Sequence, residues 1–142
     1  HCNTMPLSSN FTTMKRFVEA MDTRLREGHF VLIYPEQSMW WNYRKPKPLK
    51  RGGFIFAAKN NVPVLPCFIT MKDSDILDDT GFYVQEYTIH IEKPLWPDTS
   101  LRFREQADDL KGRNFRIWKE IYEREYQTPL VYLNNEEMSI NE

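Results

Sequence analysis

The strongest constraint on this chain is the run Phe30-Val31-Leu32-Ile33-Tyr34, five apolar residues in succession that stop at Pro35. A strand wetted on one face alternates apolar and polar side chains, so an unbroken run predicts a strand covered on both faces. Proline removes a backbone donor and closes the run. The cover has to come from helices, and one precedes it directly. Met14, Phe17, Val18, Met21 and Leu25 form one apolar stripe at the helical period, which predicts a helix over Phe11 to Glu27. Ser9, Asn10 and Thr12 are candidate caps at its start, and Gly28 follows its end. With 142 residues, of which 41% are hydrophobic, the chain is long enough for one domain with a true core.

Beyond Pro35 a polar, proline-containing stretch runs from Glu36 to Lys50. Gly52-Gly53 then opens a short helix near Phe54 to Asn60, and Val62 to Ile69 reads as a second strand, irregular or at an edge because of Pro63 and Pro66. Strand, helix, strand predicts a β-α-β unit with parallel strands. Tyr83 to Ile91 reads as a later strand with Tyr83, Tyr87, Ile89 and Ile91 on one face. The acidic residues from Asp73 to Asp79 read as a solvated loop, since the spacing of a calcium-binding loop is absent. Leu101 to Tyr126 is helical in pattern, with an interruption expected near Gly112. The segment after Thr128 lacks periodicity, and Asn134 to Glu142 is expected to fray. The expected fold class is α/β in a single domain, a mainly parallel or mixed sheet flanked by helices, with residues 129–142 as an irregular tail.

Charge and cysteine usage remove several function classes. Nineteen Lys and Arg against twenty Asp and Glu leave a net charge of −1, which argues against a broad nucleic-acid-binding surface. The longest apolar run, Val62 to Met71, holds two prolines and falls short of the roughly 18 residues of a membrane span. Cys2 and Cys67 cannot form a disulfide framework. Cys67 reads as a buried thiol, which points to a reducing, intracellular compartment. His1, His29 and His90 lie far apart without metal-ligand spacing, so no metal site is expected. The opening His-Cys-Asn has neither an initiator Met nor the apolar stretch of a signal peptide, and reads as the start of a fragment.

In open α/β sheets ligands gather beyond the carboxyl ends of strands. The stretch Pro35 to Arg51 leaves such an end and enters a helix. Its segment Arg44 to Arg51 holds five cations in eight residues, and Gly52-Gly53 follows where a helix start can receive an anion. A phosphate-bearing ligand is one reading and a solvated loop the other. Glu36 stands at the strand's mouth, where a capping or surface role competes with a ligand-binding one. Trp40-Trp41 either packs over the core edge or faces a lipid interface.

Tyr34-Pro35-Glu36-Gln37-Ser38, reached through a helix, Gly28 and an apolar strand, resembles the F-P-E-G-T-R-S block of glycerolipid acyltransferases, the 1-acyl-glycerol-3-phosphate (lysophosphatidic acid) acyltransferase family. Lys50 to Lys59 resembles that family's f-k-k-G-a-f-x-l-A helix, and Asn61 to Cys67 its g-V-P-I-V-P-V block. Tyr87 to Pro94 is similar to the strand that follows there. The likeness covers roughly residues 5 to 126, its specific part being three blocks in order.

The resemblance implies a glycerol-phosphate-acyltransferase-like fold and transfer of a fatty acyl group from acyl-CoA or acyl carrier protein to a lysophospholipid hydroxyl, in phospholipid biosynthesis. It implies no bound cofactor. In the family an H-x-x-x-x-D block supplies the general base. No histidine here has Asp five residues on, so the dyad is expected upstream of His1 and this chain alone is expected to be inactive. Gln37-Ser38-Met39 replaces the usual G-T-R, so the motif arginine is missing, and Arg44 or Lys45 is the candidate for its charge. The expected substrate-binding set is Pro35, Glu36, Gln37, Ser38, Arg44, Lys45 and Lys50, with Glu36 orienting the acceptor and Ser38 hydrogen-bonding it. Expected partners are the acceptor, the acyl donor and a membrane surface, and not nucleic acid. The expected location is the cytoplasmic face of a membrane, peripherally, with an upstream anchor possible. The alternatives are a non-catalytic module of the same fold that binds lipid or another anionic ligand, and a protein-interaction domain whose basic loop and tryptophans dock a partner.

Overall fold

The computed structural model of the protein describes residues 10–38, 42 and 44–132. Among them the order is α1 (Phe11–Arg26), α2 (Gly52–Asn60), β1 (Cys67–Leu77), β2 (Tyr83–Ile91) and α3 (Phe103–Tyr126).

Helix α1 forms where the apolar stripe requires it. The Asn10 side chain accepts hydrogen bonds from the Thr12 and Thr13 amides at 2.9 and 3.3 Å, so Asn10 is the cap. Met21 is its deepest residue, at 2% exposure. Phe17 meets Phe56 of α2 edge to face, with ring centroids 5.9 Å apart. Asp22, buried beneath α1, takes the Lys59 ammonium on one carboxylate oxygen and the Asn60 side-chain amide on the other, the latter at 2.8 Å.

Among the described residues helix α3 contributes the largest share of the core: Ala107, Leu110, Trp118, Ile121 and Tyr122 line its inner face against Phe54, Ala57 and Ala58 of α2 and Phe68 of β1. It runs unbroken through Gly112, contrary to the interruption expected there. Gly112 is exposed, and its cost of about 1 kcal/mol in a helix interior is small beside the burial on the opposite face.

The expected α/β class with a mainly parallel or mixed sheet is overturned, and with it the glycerol-phosphate-acyltransferase-like fold that the resemblance implies. The sheet is a two-stranded antiparallel hairpin, with β1 and β2 in register from Cys67↔Ile91 to Asp73↔Gln85 and an irregularity before Leu77↔Tyr83. Residues 30–34 form no strand. Among the described residues no strand lies beside them, and an isolated strand leaves its backbone groups unpaired. Phe30, Leu32 and Tyr34 are 97%, 75% and 75% exposed, the reverse of the two-sided burial that the apolar run predicts. The second expected strand is shortened at its start. Val64 makes a single antiparallel bridge to Leu95, and continuous pairing begins at Cys67, past Pro63 and Pro66 with their missing donors. With the first strand absent and the second paired antiparallel, the expected β-α-β unit does not form among the described residues.

The hairpin has one packed and one open face. Phe68 and Thr70 are buried, Phe68 against Trp118 with ring centroids 5.3 Å apart. On the other face Ile69 lies opposite Ile89 and Met71 opposite Tyr87, and Ile69, Tyr87, Ile89 and Ile91 are exposed. The expected shared face of β2 is therefore present and turned to solvent. The Tyr126 hydroxyl binds the outer edge of β1, accepting from the Met71 amide at 2.9 Å and donating to its carbonyl at 3.2 Å. The acidic stretch, expected as a loop, continues β1 to Leu77. Only then does Asp78 make the turn, accepting from the Thr80 amide, the Thr80 hydroxyl and the Phe82 amide at 2.8, 2.7 and 3.0 Å. Cys67 is a free thiol, half-buried, whereas Cys2 lies outside the described residues.

Candidate functional site

Pro35 presets a turn in which the Gln37 amide donates to the Tyr34 carbonyl at 3.1 Å, and Gln37 itself adopts a left-handed φ of 65°. The turn brings the chain back on itself. The Lys50 amide donates to the Pro35 carbonyl at 2.8 Å, so the two ends of the polar stretch meet at the start of α2. Ile33 lies across that start. A Cβ on Gly53 would sit 3.0 Å from the Ile33 Cγ2, a tight contact to which the Ile33 side chain would have to yield by a few tenths of an ångström.

Within this neck a single peptide unit is held at both ends. The Lys47 amide donates to Oε2 of Glu36 at 2.5 Å, while the carbonyl of the same unit, on Pro46, accepts from the Tyr132 hydroxyl at 2.7 Å. Pro46 and Pro48 flank Lys47 and restrict its backbone. The Lys47 side chain turns back to donate to the Ser38 hydroxyl at 3.0 Å. Lys45 lies over the Tyr132 ring, 4.8 Å from its centroid. Lys45 and Lys47 are both about nine-tenths buried, so these lysines are built into the fold rather than spread into solvent. Burial pushes the Glu36 carboxyl above the ordinary 4.5, outweighing the opposing hydrogen bond from the Lys47 amide and the charge of Lys47.

The structure therefore brings together Pro35, Glu36, Ser38, Lys45 and Lys50 of the expected set. Gln37 is exposed on the turn. Arg44 is directed elsewhere: its guanidinium donates to Asp73 at 3.1 Å and to Gln85 at 3.5 Å, fastening the loop to the hairpin. Of the two candidates for the missing motif arginine, Lys45 stays in the neck and Arg44 does not. Trp40 and Trp41, with Met39, lie outside the described residues. His29 pairs with Glu27 at 3.5 Å and His90 with Thr70 at 2.8 Å, both outside this cluster.

Two members of the site were missed from the sequence. Lys47 had a partial signal, because two flanking prolines restrict its backbone, but nothing in the sequence gave its side chain a partner. Tyr132 had none, since its contact spans 86 residues of sequence.

An open cleft between α1 and α2, lined by Met14, Val18, Asp22 and Lys59, does not include the basic loop. Among the described residues no three His, Cys, Asp or Glu side chains converge as a metal site, and no helix is long and apolar enough to cross a membrane. Compared with family models, with curated proteins and with solved structures, the chain matches none.

Proposed function

We propose that this chain carries the acceptor-headgroup region of an acyltransferase that moves a fatty acyl group from acyl-CoA or acyl carrier protein to a lysophospholipid hydroxyl, working peripherally at the cytoplasmic face of a membrane. The observation that carries the reading is the Lys47 ammonium held on the Ser38 hydroxyl at 3.0 Å, with Lys45 and Lys50 in the same neck. A phosphate monoester needs cations and hydroxyl donors held in place, and a partly dehydrated ammonium attracts an anion more strongly than one in bulk water. The three ordered sequence blocks supply the acyl-transfer half of the proposal.

In this reading Glu36 acts on the acceptor indirectly, because its carboxylate is bonded to the Lys47 backbone. The proton acceptor for the hydroxyl is assigned outside this chain. The second reading, a binding module without catalysis, is favoured by the positions of His29 and His90, each engaged away from the lysine cluster.

Co-sedimentation with vesicles tests the headgroup assignment. The chain is expected to bind phosphatidylcholine vesicles doped with lysophosphatidic acid, and to bind pure phosphatidylcholine far less. Binding should weaken as salt is added and fall in Lys47→Gln. Equal binding to both vesicle types, or an unchanged Lys47→Gln, removes the assignment. Release of free thiol from acyl-CoA with lysophosphatidic acid then separates the two readings in any longer protein that contains this chain and an H-x-x-x-x-D block.

A further inference from the structure

The two edges of the hairpin differ. On β1 the Tyr126 hydroxyl takes both the amide and the carbonyl of Met71, so outer backbone groups there have a partner. The Glu92 amide donates to the Pro66 carbonyl at 3.0 Å, which fixes the phase of the antiparallel ladder. Glu86, Thr88 and His90 point their backbone groups at β1, and Gln85, Tyr87, Ile89 and Ile91 point theirs away from it. Among the described residues nothing bonds those outward groups. Helix α3 packs under Phe68 of β1, so Tyr87 and Ile89 on one face of β2 and Glu86 and Thr88 on the other are all exposed. Strand β2 is nine residues long, holds register from Gln85 to Ile91 and carries neither lysine nor proline, residues that blunt an edge against pairing. A sheet of two strands is also marginal by itself and gains from further strands.

We propose that β2 is a homodimer interface, pairing antiparallel with β2 of a second copy about a two-fold axis at Thr88 to give a four-stranded sheet. The sequence of the strand selects a second copy as the occupant. An axis at Thr88 sets Tyr87 opposite Ile89 of the other copy, so residues with outward backbone groups face each other and exchange both hydrogen bonds. It sets Thr88 opposite Thr88 and the acid Glu86 opposite the imidazole of His90. Aromatic with β-branched, threonine with threonine and acid with base are the cross-strand pairs that stabilise a sheet. An axis at Tyr87 sets Glu86 opposite Thr88 and loses the acid–base pair. An axis at Ile89 sets Glu86 opposite Glu92, two like charges. The dimer goes beyond the headgroup reading and does not depend on it.

Sedimentation equilibrium of the full chain tests the oligomeric state, and amide exchange locates the contact. The chain is expected to dimerise reversibly. When the dimer dominates, the outward amides of Tyr87 and Ile89 should be protected like the inward amides of Glu86 and Thr88, and should lose that protection on dilution. Thr88→Lys sets two ammonium groups opposite each other and should weaken the dimer about tenfold or more, as should Thr88→Glu with two carboxylates. An equimolar mixture of the two variants pairs lysine with glutamate and should restore a dimer. A chain that stays monomeric at every concentration overturns the proposal. So does a dimer whose Tyr87 and Ile89 amides exchange freely, or one that Thr88→Lys leaves unchanged. The Glu86 and His90 amides report whether the hairpin of each variant is intact. Where a Thr88 variant loses them, Ile89→Pro takes its place, since it removes an outward donor and no bond to β1. If that variant also fails to fold, the wild-type amides decide alone.

Discussion

Gln37 occupies a conformation that its side chain disfavours. A non-glycine residue at a φ of 65° bears a steric cost of roughly 1–2 kcal/mol, and this cost falls at the turn that aims Glu36 and Ser38. Gln37→Val, with its branched Cβ, should lower stability by about 1–2 kcal/mol in denaturant unfolding. Gln37→Gly should be neutral to within about 1 kcal/mol, since relief of strain opposes added chain entropy. Equal losses in the two variants would show that the loss comes from the glutamine side chain rather than the backbone. Glu36 shows how a residue type can be legible while its role is not. Its position after a proline marked it as part of a site, but an acid that orients a substrate and an acid that holds an amide look the same in sequence.

Among the described residues, α1 is tied to α2 through one buried polar side chain. That side chain is Asp22, which accepts from Asn60 and Lys59 of α2. Burial pushes its carboxyl up, but the bonds from Asn60 and Lys59 and the charges of Lys59 and Arg26 overcome this and hold it below 3.8. A depressed carboxyl stabilises the fold at pH values above its unfolded pKa, and that contribution is lost as pH falls through the lower folded value. Amide exchange in α1 should therefore stay slow down to about pH 3.8 and quicken below it, while the α3 core remains protected. Asp22→Ala should bring the same release to neutral pH, at a cost of about 1.5–3 kcal/mol in docking. If α1 and α3 amides exchange together in that variant, the two helices unfold as one unit and α1 has no separate attachment.

For the molecule as a whole, the two faces of the hairpin differ most. Phe68 is 6% exposed against α3, whereas Ile89 is 62% exposed on the opposite face. Thermal or denaturant unfolding should show Phe68→Ala destabilising by about 3–5 kcal/mol and Ile89→Thr by no more than about 0.5 kcal/mol. A large loss at Ile89 would mean that this face is covered in solution. Phe30, Leu32 and Tyr34 are exposed as well, so strongly apolar segments lie on the surface of the described residues.

Local physics was legible in the sequence, and long-range pairing was not. Helix α1, its cap among three candidates, Gly28 after its end, and α2 and α3 within a few residues all followed from periodicity and caps, which act within a few residues of one another. The gathering of basic residues near a helix start was readable too, because it is a matter of composition. Strand partners are different. Whether Phe30 to Tyr34 becomes a strand depends on what lies beside it, and whether Val62 to Ile69 pairs parallel or antiparallel depends on Tyr83 to Ile91 reaching it first in space. The site divides in the same way. The sequence by itself placed an acid, a serine and several cations within one short stretch. Only the tertiary structure drew Arg44 away to Asp73 and brought Tyr132 back onto Pro46, because hydrogen bonds between distant segments form only after the core has set their positions.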